Sequence, residues 1–466
     1  MLNASVRRGE ADFNGTASGC PSSPTLAGTL AFVFFLLATG ALFLRPAELL
    51  SAQTGLPIYL VFITPSLLLS LPRLLDQFRL SSLTANPMTA CVVGLIAAVP
   101  LSDLANFHLS DAVRSGAEFG KVGLFYLLFV STINSARRLR LFLYCLTLTT
   151  FILVCLGLLQ YYDVIDVPAL TNLQEGFEKT YDRLSGETIV FKRLCSAGVF
   201  NNPNDLARVI VVATVMCSYW VTDRSGGIVR YLWLVPLAVL GHALSLTSSR
   251  GGLLGFLAGL LVLFHARLGT KRTTILGIVL MPLLFVLFQG RQTDLSVADG
   301  TGQQRIQLWR EGFQSLRSNP IFGIGMEKYA DEIGAGLGAH NSYVECYVEL
   351  GFVGGSCFVG AWALAFWLPY RLQQYQQHVR DLDLKRFGPF LLAIIASYIV
   401  GMFSSHRSYQ PPTYAFLGLA AAYVHLASAF VPLSVLVEGK RLLPRLLLLG
   451  MATVVGHDLF IRIFAV

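Results

Sequence analysis

The sequence predicts an all-α membrane protein: a helical bundle of about twelve transmembrane spans, with a large outside loop between the ninth and the tenth. Three observations predict it. Of the 466 residues, 54% are hydrophobic and only 13% are charged, about half the charge of an ordinary soluble domain. Mean hydropathy is +0.61. Apolar stretches of roughly 17–25 residues recur along the whole chain, the length a helix needs to cross ~30 Å of hydrocarbon. Together they exclude a disordered chain, a soluble enzyme and a nucleic-acid-binding domain of ordinary type.

The first apolar run, 26–44, follows a polar segment, 1–25, that has no signal-peptide core, so it reads as a first span after a cytoplasmic N-terminal segment. Further spans are expected at 57–72, 87–103, 119–135, 141–160, 205–222, 230–247, 252–266, 274–289, 343–370, 388–404 and 412–434. The stretch 443–456 reads equally as a further span or an interfacial helix. Residues 26–466 form one transmembrane domain, with no internal repeat and no separate soluble domain. The eight cysteines show no CxxC pair and read mostly as small residues inside apolar runs. A bridge between Cys195 and Cys346 stays open.

Orientation follows from basic residues. With the N-terminus inside, the short inside loops hold most of them, Arg137, Arg138, Arg140, Lys385 and Arg386 among them. Short outside loops hold few, such as Arg45, Arg114, Lys121, Arg250 and Arg407. The net charge of +8 therefore orients the chain in a membrane and does not call for nucleic acid. Two long outside loops, about 161–204 and 290–341, and two polar turns, 247–251 and 404–412, all open on one side.

Four constellations lie on that side. In KRLCSAGVFNNPND, Pro203 suits the first turn of a helix and Asn202 its cap. Arg193 is a cation near a helix N-terminus, where the dipole opposes it. An anionic ligand attracted by both would reconcile the two. In SLTSSRGG, Arg250 either snorkels to headgroups or stands at the floor of an outside cavity, with the glycines allowing close approach. In GQQRIQLWREGF, Ile306, Trp309 and Phe313 give an apolar face, read as an amphipathic helix on the membrane surface with Arg305, Arg310 and Arg317 beside it. Finally, NPIFGIG precedes AHNSYVECYVELG, where His340 stands at the point of membrane re-entry. A lone histidine is commonly structural, but this one opens a polar cluster with Asn341, Ser342 and Tyr343, and imidazole is suited to proton transfer near neutral pH. No phosphate-binding glycine loop and no metal-ligand spacing is present. Asp103, His108, Asp111, Glu118, Asp331 and Glu332 are also outside, without a distinctive sequence neighbourhood.

In their order, GVFNNPND, SSRGG, RxxxW, NPIFGIG and AHNSYVECYVELG resemble the O-antigen ligase and polysaccharide polymerase superfamily, over about residues 190–360. The resemblance implies a GT-C type glycosyltransferase of the bacterial inner (cytoplasmic) membrane, multi-pass, with its active face periplasmic. It implies a glycan donor on undecaprenyl pyrophosphate, and lipid A-core or another lipid-linked glycan as acceptor. It implies no cofactor, no metal and no nucleic acid, with membrane lipids as surroundings. Residue by residue it puts catalysis on His340 and pyrophosphate binding on Arg193, Arg250 and Arg305, with Asn341 and Tyr343 positioning the acceptor. The rival reading is a polysaccharide-precursor transporter or flippase. That would call for broken helices at the midplane and internal pseudo-symmetry, whereas the polar motifs here gather on one face.

Overall fold

The computed structural model describes residues 25–49, 57–167, 170, 177–181, 188–287, 301–334, 336–437 and 439–464. Its long helices are α1 (Leu26–Leu44), α2 (Ile58–Asp76), α3 (Pro87–Ala105), α4 (Leu109–Thr132), α5 (Ala136–Tyr161), α6 (Pro203–Val221), α7 (Leu234–Leu246), α8 (Arg250–Leu268), α9 (Thr270–Leu287), α10 (Thr301–Ser318), α11 (Ser342–Gln374), α12 (Leu382–Gly401), α13 (Pro411–Ser428) and α14 (Gly439–Phe464). The one departure from helix among the described residues is a two-stranded antiparallel ribbon in the first outside loop, β1 (Phe177–Tyr181) and β2 (Thr188–Lys192), with Phe177 opposite Lys192. Gln289, where the second loop was expected to start, lies outside the described residues.

Ten helices among the described residues are long and apolar enough to cross a membrane, against about twelve spans expected over the whole chain. Nine match expected spans, and the tenth is α14, which contains the undecided stretch 443–456. The expected spans at 119–135, 274–289 and 412–434 coincide with α4, α9 and α13, which are helical. The outer half of α4 carries Asp111, Arg114, Glu118 and Lys121, and α9 opens on Lys271 and Arg272.

Small residues let the helices approach closely, the usual device where lipid supplies no hydrophobic drive between them. Gly251, Gly255 and Gly259 recur every fourth residue of α8, and α8 packs on α12. A Cβ on Gly255 would come 2.9 Å from the Ser397 carbonyl oxygen. The glycines after Arg250 allow close helix packing as well: a Cβ on Gly251 would overlap Ser404 Oγ at 1.8 Å. A second motif is equally structural. α11 breaks at Gly351, whose φ is 62°. The NPIFGIG segment lies against the break, with Ile324 and Gly325 donating to the carbonyls of Val348 and Glu349, and Phe352 donating to that of Pro320. It supplies backbone partners at the point where the helix loses its own.

The two ends of the bundle, named inner and outer after the sidedness that the basic residues predict, differ in charge. At the inner end, Arg140 pairs with Asp223 and Asp383 at 2.5 and 2.9 Å, and Arg386 pairs with Asp223 at 2.7 Å. At the outer end gather the starts of α6, α8 and α11 and the turn after α12. The far end of α14 also lies there, since Asp458 pairs with Arg317 of α10 at 2.8 Å. α10 does not lie on a lipid surface as the sequence predicted. Its buried Ile306, Phe313 and Leu316 face protein, because α11 and α14 rise beside it. Cys195 and Cys346 are both free thiols.

Candidate active site

Four segments that are far apart in sequence meet at the outer end. The chain leaves β2 through Arg193, whose Nε donates to the Thr247 carbonyl at 2.9 Å and whose Nη2 donates to Asn204 Oδ1 at 3.3 Å. Ser249 Oγ donates to the same Asn204 oxygen at 2.7 Å, so the Asn-Pro-Asn turn ties Arg193 to the start of α8. Asn202 caps α6 by accepting from Asn204 N, with Pro203 in the first turn. Arg250 is the first residue of α8, and Ser249 caps that helix through Gly252 N.

The other two come from the large loop. Arg305 and Trp309 are one turn apart on α10. Trp309 Nε1 donates to the Ala339 carbonyl at 2.6 Å, which fixes the residue preceding His340 to the helix that carries Arg305. Asn341 caps α11, its Oδ1 accepting from the amides of Tyr343 and Val344. His340 just before it takes the left-handed conformation, φ 49°. Ser248, between Thr247 and Ser249, does the same at φ 48°. Such backbone costs on the order of 1–2 kcal/mol in a residue with a side chain and often marks functional sites.

Arg193, Arg250, Arg305, Ser248 and His340 line one cavity of about 290 Å³. Its potential is positive. Burial lowers the proton affinity of Arg305, and the neighbouring guanidiniums of Arg250 and Arg193 lower it further. Burial lowers that of Arg193 as well. His340 is pushed down to about 4, first by burial, then by Arg305 and His406. It is therefore a neutral imidazole at physiological pH, and a buried cluster of like charges of this kind favours an anion.

Of the other expected site residues, neither Asn341 nor Tyr343 is among those lining this cavity. Both are buried, and the Tyr343 hydroxyl donates to the Ile399 carbonyl at 3.0 Å. They hold the helix start on which His340 stands. One residue was not singled out from sequence: His406, whose Nδ1 lies 3.3 Å from His340 Nδ1. Its turn is bound to α11, with Ser342 Oγ donating to the Ser405 carbonyl and Ser408 Oγ donating to Glu345. Next to it, Arg407 pairs with Asp205 of the NPND motif at 2.6 Å. The polarity of the 404–412 turn was the available signal, but an isolated His-Arg pair carries no periodicity or spacing.

Metal-like proportions occur elsewhere. Ligand atoms of Asp103, His108 and Asp111 lie within 4.8 Å of one another. The Lys328 ammonium stands among them, 2.7 Å from His108 Nδ1, 3.1 Å from Asp111 and 3.4 Å from Asp103, and supplies the cation itself.

Residues 235–359 match a family model described as O-antigen ligase. These 125 of the 466 residues are similar to that family's domain. That stretch runs from α7 into α11 and includes Arg250, Arg305 and His340, whereas Arg193 and His406 lie outside it. It supports membrane glycosyltransferase activity of the ligase or polymerase type, in a multi-pass membrane protein. No curated protein matches the chain.

Proposed function

We propose that the protein transfers a glycan from undecaprenyl pyrophosphate to an acceptor hydroxyl on the periplasmic side of the bacterial inner membrane. The observation that carries this reading is the convergence of three arginines and one neutral histidine, from four separate segments, on a single outer cavity. Residues 26–466 act as one transmembrane unit around it, with the ligase-like core at about 190–360.

The chemistry follows from the residues. The acceptor oxygen forms a bond to the anomeric carbon as the bond from that carbon to the pyrophosphate oxygen breaks. Negative charge grows on the departing pyrophosphate. Arg193, Arg250 and Arg305 hold it by charge-assisted hydrogen bonds, in a place where burial strengthens each one. The acceptor proton goes to His340. Its Nδ1 faces His406, so a proton on that nitrogen, donated to His406 Nδ1, leaves Nε2 as the basic atom. His406 is thus a positioning residue that sets the tautomer of His340. Direct displacement inverts the anomeric centre.

Burial and the neighbouring cations disfavour a protonated His340, and a bound pyrophosphate reverses the sign. Its negative charge offsets Arg305 and raises the imidazole pKa, so the base strengthens as the donor arrives. The test is transfer of native donor in membranes that carry correctly inserted wild type or His340→Ala. Wild-type product levels with His340→Ala would remove this reading. Translocation of labelled lipid-linked glycan without a new glycosidic linkage would favour a transporter.

A further inference from the structure

We propose that a second outer cavity binds the acceptor saccharide; this deepens the reading above and rests on it. The cavity measures about 760 Å³, within the range of small-molecule sites. It lies at the other end of the turn that borders the arginine cavity: Ser404 lines the first, and Tyr409, Gln410 and Pro411 line the second.

One wall is a stripe of α4. Asp111, Arg114, Ser115, Glu118 and Lys121 recur at three- and four-residue spacing, so they share a helix face, and all line the cavity. A polar stripe on a helix within a membrane bundle must face water or a ligand. Charges of both signs line the cavity, several of them paired. Lys121 pairs with Glu118 at 2.8 Å, and Lys328 with Asp111 and Asp103. A site of paired donors and acceptors does not select an anion. It suits an uncharged polyhydroxyl ligand, since each hydroxyl both donates and accepts.

A further observation points to a ligand. Asp103 is 1% exposed, and its Oδ2 accepts the Ser115 hydroxyl at 2.5 Å. Its Oδ1 has the Lys328 ammonium 3.4 Å away but no aligned hydrogen-bond donor, so this buried carboxylate oxygen keeps acceptor capacity that a ligand hydroxyl would use. Gly325, at φ 117°, makes room for it, since a Cβ there would come within 2.4 Å of that oxygen.

The experiment uses the full chain in lipid nanodiscs. The probes are lipid-free, dephosphorylated core oligosaccharide and repeat-unit oligosaccharide from the host's own surface polysaccharides, with inorganic pyrophosphate as a third arm. The variant is Arg114→Ala with Glu118→Ala, both exposed, with E118Q as the isosteric companion. One oligosaccharide is expected to bind the wild type, to bind the double variant at least 10-fold more weakly and E118Q several-fold more weakly, while pyrophosphate binding stays unchanged. Which oligosaccharide binds separates a ligase from a polymerase. Binding of neither to the wild type, or equal binding by the variants, overturns the proposal. Pyrophosphate binding that survives Arg305→Ala would sink the donor-site reading and leave the saccharide result standing.

Discussion

Arginine does opposite work at the two ends of this bundle. At the inner end, Arg140 and Arg386 share Asp223, and Arg140 also reaches Asp383. At the outer end, the charges that act on Arg305 are those of Arg250 and Arg193, and they repel it. The inner cluster is electrically complete and joins α5, α6 and α12 as structure. The outer cluster brings like charges together around Arg305, and an anion would be attracted there. The same residue type therefore braces the fold in one place and prepares a binding site in the other, and the difference lies in the neighbours.

The sharpest way to break this contrast is His340→Ala. Removing a positioned general base typically costs about 10²–10⁴-fold, and a loss in that range is expected in transfer rate with protein level and melting unchanged. Arg305→Ala comes next, expected to cost about 10²–10³-fold, the scale of losing one charge-stabilising donor. Arg305→Lys should recover only part of it, because an ammonium lacks the paired geometry of the guanidinium. A transfer rate insensitive to Arg305 would mean that the outer arginines brace the fold as the inner ones do.

The pH dependence sharpens it further. In the free protein His340 sits at about 4, so the acid limb of kcat/KM is expected well below neutrality. Bound pyrophosphate raises that pKa, so the acid limb of kcat should lie at higher pH. Arg305→Ala removes one cause of the depression and should move the limb of kcat/KM upward. Coincident limbs in wild type and variant would detach His340 from the arginine field.

The sequence made parts of this legible and hid others for physical reasons. Arg250, Arg305 and His340 could be read because each sits in a local pattern: a cap, a helix face, a helix entry. The glycines of SSRGG could be read as allowing close approach, but not that α12 approaches this helix, since its Ser397 is some 140 residues away. His406 was hidden because its partner is His340, brought near by the Ser342–Ser405 hydrogen bond and by no repeat. Asp103 was visible as an outside acid, but its place beside Lys328 was hidden in the same way, in a wall built from elements far apart in the chain. The amphipathic face of α10 was correctly seen as apolar, yet periodicity does not distinguish a lipid surface from α11 and α14.

His406→Asn is expected to have a smaller effect, roughly 10-fold or less on kcat. In the proposed mechanism the side chain touches no reacting atom; it accepts the proton of His340 Nδ1 and so keeps Nε2 basic. The variant should therefore shift the pH profile of transfer while leaving the donor KM near that of wild type. A purely structural role would lower the amount of folded protein and leave the profile where it was.

The smallest effect on transfer belongs to the inner end. Asp223→Asn removes the carboxylate that Arg140 and Arg386 share. Burial alone would raise the Asp223 pKa, but the bonds from Ser225 and Arg386 outweigh it and hold the group below the ordinary carboxylate value. Its contribution to stability is therefore present above the unfolded pKa and lost as pH falls through the lower, folded one. The two arginines are about one-third exposed, so solvent weakens each pair, and the loss should be modest, about 1–3 kcal/mol. Melting in detergent should drop at neutral pH and approach that of wild type in strong acid. Transfer per folded molecule should stay unchanged, because no atom of this cluster reaches the outer cavity. A fall in turnover without a fall in melting would show that the two ends are coupled, and the division between bracing and binding arginines would then fail.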